Sequence, residues 1–267
     1  MKLGSLFGLM SACALSVMPV IDGGALMGAP LRVSGQVDPW LQVVPFGSAE
    51  FAAGVARLLG ETSEPQLPYS ILVRNLRDEP VIAISIQYRL TKDKDVQLAN
   101  VVSDALSTLN HAPVVAPKGE SLIGPGMVVT TRVGRNSIRP QFPVERLNRF
   151  ATVSDIEVKI DAVLWSDGKL VGPDDSEAIL GIAVRQRVAS ELGAKVLAML
   201  QKTESPLPWL NTLGAEQESG GPPRGELAWA RLWQGSHAAM LIRAFERGTG
   251  HVLAEQLSQA QAVRIVR

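Results

Sequence analysis

The chain is poor in the residues that most often announce a function. Its 267 residues include one Cys and three His. One Cys makes neither a disulfide framework nor a cysteine-rich zinc site. His111, His237 and His251 lie far apart in sequence, whereas zinc sites draw on clustered His, Cys or carboxylate ligands, so no metal ligand is nominated. Charge of one sign is also missing, because 26 Lys and Arg balance 26 Asp and Glu. A neutral chain has no long-range field to gather a polyanion, which removes nucleic acid from the expected partners. HExxH, GxSxG, Walker A and GxGxxG do not occur. The spaced glycines Gly119, Gly124 and Gly126 lack the Lys and Ser/Thr that would hold phosphates, and read as a turn. No catalytic residue and no cofactor follows from these patterns.

Apolar residues are plentiful, at 46% of the chain, enough to bury a core against the cost of chain entropy. The longest apolar run is N-terminal. Met1-Lys2 is followed by Leu3 to Ile21, broken by Gly4, Gly8 and Pro19. A lone early positive charge, a short apolar stretch and small residues after it predict a secretory signal, cleaved after Ala25. The run is barely long enough for a permanent membrane helix. Two alternatives stand beside cleavage: an uncleaved anchor, and lipidation at Cys13, since Met10-Ser11-Ala12-Cys13 faintly resembles a lipoprotein box. Export to the periplasm or the extracellular space is the expectation, and cleavage at Ala25 would leave a chain without a thiol.

Residues 26–67 are expected to be a tether with one short helix. Ser48 caps it, and Phe51, Val55, Leu58 and Leu59 line one side. Pro39, Pro45 and Pro65 argue against strands there. From Pro68 the period becomes two. Tyr69, Ile71 and Val73 alternate with Ser70, Leu72 and Arg74, and Ile82, Ile84, Ile86, Tyr88 and Leu90 follow on one face of a longer strand. Shorter strands are expected at Val96–Val101, Pro113–Ala116, Leu122–Ile123 and Val128–Val133. The clearest is Ser154–Ser166, with Ile156, Val158, Ile160, Ala162 and Leu164 on one face and Asp155, Glu157, Lys159 and Asp161 on a solvated one. Asp167-Gly168 suits a two-residue hairpin that sets Trp165 opposite Leu170.

Asp174 and Glu177 have capping-box spacing before a helix to about Lys202, with Leu180, Val184, Val188, Leu192, Val196 and Leu200 as its buried stripe. Two more helices are expected near Glu226–Arg247 and His251–Val266, after a linker near 203–225.

Val73-Arg74-Asn75-Leu76, the alternating strand through Tyr88, and Ala116-Pro117-Lys118-Gly119-Glu120-Ser121 together resemble immunoglobulin-like modules of bacterial secreted proteins. The Trp165–Asp174 stretch is similar to the "DG…GPD" strand end of exported bacterial proteins. The resemblance covers the middle of the chain. It implies a β-sandwich used for adhesion, periplasmic assembly or spacing, and brings no catalytic residues with it. The expected fold is therefore α+β: a signal at 1–25, the tether at 26–67, an antiparallel immunoglobulin-like β-sandwich at 68–173 and a helical C-terminal region at 174–267.

Candidate binding residues are few. Trp229, Trp233, His237, Met240 and Ala244 fall on one side of the penultimate helix, a stripe that either docks on a core or meets a partner or a membrane surface. Arg132, Arg135, Arg139, Arg146 and Arg149 form a basic loop that reads as solvated, or as a contact for an acidic partner or sugar acid. The leading expectation is an exported, non-enzymatic scaffold or interaction module whose partner is an envelope protein. The alternative is a hydrolase or carbohydrate-active protein built on scattered carboxylates, which need only spatial proximity.

Overall fold

The chain folds as two β-sheets and six helices among the residues described. This computed structural model describes residues 31–35, 38–60, 66–106, 113–125, 127–130, 145–214, 223–260, 262–263 and 265–266. The elements in chain order are β1 (Leu31–Val33), β2 (Leu41–Pro45), α1 (Ala49–Leu59), β3 (Ile71–Asn75), β4 (Val81–Lys92), β5 (Asp95–Asp104), β6 (Glu120–Gly124) and β7 (Met127–Thr130). They are followed by α2 (Glu145–Ala151), β8 (Asp155–Trp165), β9 (Leu170–Val171), α3 (Ala178–Gln201), α4 (Leu207–Gly214), α5 (Gly225–Glu246) and α6 (Gly250–Ser258). The first sheet has the order β1-β8-β4-β5, with β9 also on β8, and the second has the order β2-β3-β6-β7. Every strand pair is antiparallel except β1 with β8. The fold class is thus mixed α+β with mainly antiparallel sheets. The segment before residue 31, with the predicted signal and Cys13, lies outside the described residues, as does His111.

The period-two stretches became strands because alternation lets each sheet bury one face on a shared apolar cluster and the other on a helix. Ile71, Val73 and Ile123 of the second sheet share a cluster with Ile84, Ile86, Tyr88, Val158, Ile160 and Trp165 of the first. Tyr88 reinforces it by donating its hydroxyl proton to the Tyr69 carbonyl at 2.9 Å. Val44, Leu72, Leu122 and Val129 face the other way, onto Phe51 and Val55 of α1. Ser48 caps α1 as expected, accepting the Phe51 N–H at 3.0 Å, and Gly60 ends it at φ 72°.

Several expectations need correction. Two strands, β1 and β2, form within residues 26–67 despite the prolines. Pro39 sits in the turn before β2, and Pro45 is the last residue of that strand at a sheet edge, where a missing N–H costs no ladder bond. On β8 the single apolar face breaks at residue 161. Ile86 pairs with Ile160 and Ser85 with Ala162, so Asp161 is the extra residue of a bulge. Beyond it Val163 and Trp165 continue the face begun by Ile156, while Ala162 and Leu164 turn to the opposite side. A second slip near Ile82 likewise moves that residue out of the cluster holding Ile84 and Ile86 and into the one with Ala83.

The hairpin turns over three residues rather than two. Gly168 donates to the Trp165 carbonyl at 3.0 Å with φ 87°, and Leu170 pairs with Leu164 instead of Trp165. The last helix stops at Ser258. Val266 instead bonds beside the hairpin, its N–H to the Gly168 carbonyl and its carbonyl to the Leu170 N–H, both at 2.8 Å. The expected linker near 203–225 contains α4, which packs Trp209, Leu210 and Leu213 into the helical core.

The α3 stripe Leu180, Val184, Val188, Leu192, Val196 and Leu200 lies in that core with Leu210, Leu241 and Ala254. Gly193 lets α6 approach, since a Cβ there would overlap the Ser258 nitrogen and the Ala254 carbonyl oxygen. Gly193→Ala gains helix propensity, but backbone atoms cannot yield as a side chain would. A net loss of about 1–3 kcal/mol in urea unfolding is expected.

Candidate functional site

The aromatic stripe of α5 comes together as expected, and it faces inward. Trp229 stacks on Trp233 at 6.4 Å, and Trp233 on His237 at 6.0 Å. Trp229 lies over Gly181 of α3, where a Cβ would stand 2.9 Å from its Cε3 atom. Arg185 of α3 places its guanidinium 5.5 Å from the Trp233 ring while pairing with Asp104 at 2.7 Å. These contacts make the stripe a seam between two helices. A membrane-facing role for Trp229 and Trp233 would require α5 to lift from α3. Met240 is half-buried and stands outside the apolar cluster that takes the two indoles.

Polar groups in the seam have no partner among the described residues. The Nε1 atoms of Trp229 and Trp233 and both ring nitrogens of His237 are buried without a hydrogen-bond partner. Burial lowers the pKa of His237 from its ordinary 6.5. The backbone of Arg185 opposes that shift without reaching hydrogen-bond geometry, and its guanidinium adds to it. Well above pH 6.5 the ring is neutral in the folded and unfolded chains alike. As the pH falls through that value the unfolded chain takes up a proton that the folded one resists, so stability falls. Urea midpoints measured across about pH 5 to 7 should drop toward acid, and His237→Phe should flatten that slope.

The basic loop is only partly visible. Arg132, Arg135 and Arg139 lie outside the described residues, as does the Arg146 side chain. Arg149 is exposed on α2, with its guanidinium 5.2 Å from the Phe150 ring centre.

A polar junction that periodicity did not disclose forms where α3 meets the first sheet. Asp161, placed on the solvated strand face by sequence, is fully buried. Its Oδ1 accepts the Asp175 N–H at 3.0 Å. Its Oδ2 accepts the Ser176 N–H at 3.1 Å and the Ser176 hydroxyl at 2.6 Å, with the Ser85 hydroxyl at 3.4 Å. The bulge turns this carboxylate toward α3, and a bulge has no local sequence signature. Asp155 and Glu157 do face outward, paired with Arg32 and Arg89.

Asp174 caps α3, though not through a capping box. Asp174 and Glu177 both have left-handed backbone, at φ 53° and 55°, and the helix begins only at Ala178. The Asp174 carboxylate accepts the N–H groups of Ile179 and Leu180, each at 3.1 Å. Burial is the main cause that raises its pKa, with those amides opposing it and Asp161 adding to it. Glu177, swung away by its own backbone, accepts the Gly225 N–H at 2.6 Å and so ties the start of α5 to the start of α3.

Asp38 is buried as well, and it accepts the Trp40 N–H at 2.8 Å and the Trp165 indole N–H at 3.1 Å. It borders an open cleft of about 340 Å³ lined by Val33, Leu41, Val43, Leu76 and Ile160, in which Asp38 is the single carboxylate among the described residues. No group of three or more His, Cys, Asp or Glu placed to hold a metal occurs among the described residues. No helix among them is long and apolar enough to cross a membrane. The chain matches no protein-family model, no curated protein and no solved structure.

Proposed function

We propose that this protein is an exported, non-enzymatic scaffold or interaction module of the bacterial cell envelope. In this reading the two sheets form an immunoglobulin-like β-sandwich, and the C-terminal helices are bound to it as one body. The observation that carries the proposal is the engagement of the buried carboxylates. Asp38, Asp161 and Asp174 each hold backbone amides or side-chain donors of the fold itself, and Asp38 does so even though it borders the cleft. The shared apolar cluster of the two sheets supports the sandwich. The Met1–Ile21 pattern supports export.

The carboxylate-based hydrolase reading needs two carboxyls about 5–10 Å apart across a cleft. Among the described residues, the cleft beside β1 and β2 carries Asp38 as its one carboxylate, which favours the scaffold reading over that one. Expression of the full chain in a bacterial host tests the proposal. The exported product should begin at Leu26 by intact mass, and an envelope partner should be retained in pull-downs in a manner that depends on residues 222–267. A full-length product confined to the cytoplasm would overturn the export reading. Recovery of nothing specific from envelope extract, with or without residues 222–267, would overturn partner binding.

A further inference from the structure

Among the described residues, one long strand edge is left without a neighbouring strand. β5 pairs with β4 on one side, and no strand borders its other side among the described residues. Natural edges are guarded by Pro, by Lys, by bulges or by shortness. β5 has none of these guards: it spans ten residues, and Val96 to Ser103 contain no charge and no Pro. Its inner face is well used, with Ala99 buried and Val101 packed on the inter-sheet cluster. Its outer face presents Val96, Leu98 and Val102 at 47%, 62% and 44% exposure. α3 covers the outer face of this sheet near Ala83, Ala162 and Leu164, and stops short of the half where Arg89 lies between Leu98 and Glu157.

We infer that a second copy of this chain occupies that edge, the two β5 strands pairing antiparallel about a two-fold axis at Ala99. This goes beyond the scaffold reading by naming a partner, and it holds whether or not an envelope protein also binds. The charge and apolar patterns of β5 select both the partner and the register. With the axis at Ala99, Lys94, in the turn just before β5, comes level with Asp104 of the other copy, joining the cation Arg185 already there. In the same register Val96 faces Val102, an aliphatic pair made twice, and the two Leu98 side chains become diagonal neighbours. A slip by one residue sets Asp95 against Asp104 and turns the solvent face of one copy onto the core face of the other. Moving the axis to Leu98 sets Lys94 against Val102, and moving it to Asn100 sets Val96 against Asp104. The pairing is isologous and consumes the free edge of both copies, so it closes at a dimer.

Sedimentation of the full chain over a micromolar concentration series tests this. The wild type should be a dimer. Leu98→Lys, at an exposed position that leaves the fold intact by circular dichroism, should raise the dimer dissociation constant at least about tenfold. Lys94→Asp, also exposed, should weaken the dimer by placing acid against Asp104. A wild type that stays monomeric, a dimer unchanged by either variant, or growth into larger species would overturn the inference. None of these outcomes bears on where the chain is delivered or on the pull-down, so the two readings fail separately.

Discussion

Asp161→Ala should cost about 3–5 kcal/mol of stability, among the largest losses expected from one side chain in this protein. The carboxylate is fully buried and receives two backbone N–H groups and the Ser176 hydroxyl, with Ser85 alongside. Its removal strands these donors in a place water does not reach, and each unmatched donor carries about 1–3 kcal/mol of desolvation. The loss would also free the chain between β9 and α3, because Asp175 and Ser176 are the residues held. Asp161→Asn keeps the shape but swaps one acceptor for a donor, so it should fall between wild type and Ala. Glu157→Ala, four positions before Asp161 and on the outward face of the strand, should change stability by less than about 0.5 kcal/mol. Urea unfolding of the three variants checks the order. Equal midpoints for Asp161→Ala and Glu157→Ala would show that the junction holds nothing.

Trp165→Phe should cost about 2–4 kcal/mol, while Trp233→Phe should cost less than about 1 kcal/mol, although the chemical change is the same. The Trp165 indole is fully buried and donates to the buried Asp38 carboxylate at 3.1 Å. Arg77 also stacks on it, its guanidinium 4.7 Å from the ring centre. Phe removes a charge-assisted donor from Asp38 and leaves a gap in the inter-sheet cluster. The Trp233 N–H, by contrast, is buried without an acceptor, so removing it relieves an unmet donor and offsets the lost contact. Thermal unfolding of both variants checks the contrast. A large loss at Trp233 would mean that its N–H has a partner in solution, and would return the α5 seam to the list of binding surfaces.

The α5 seam was legible as a stripe because its residues repeat at helical spacing, a pattern contained in one short stretch. Ser48 as a cap and the Leu180 to Leu200 face of α3 were legible for the same reason. The Asp161 junction was not. A period-two reading carried straight through residue 161 puts Asp161 with Asp155 and Glu157, and only the pairing of Ser85 with Ala162 shows the phase change. The Glu177 side chain was misassigned because its left-handed backbone, supported by contacts with Asp174 and Gly225, removes it from the capping geometry.

By itself the sequence determined the type of most elements, the apolar stripes of α1 and α3, and the lack of a net field for a polyanion, since all of these depend on neighbours along the chain. The tertiary structure alone decided that the Leu31–Val33 strand lies parallel to β8 and that Val266 returns to the hairpin at Gly168. It also decided that Asp161 points inward and that β5 has one neighbouring strand among the described residues. Strand pairing, register and bulges are settled by partners tens to hundreds of residues away, competing for the same backbone donors and the same buried volume, and no local period records which of them wins.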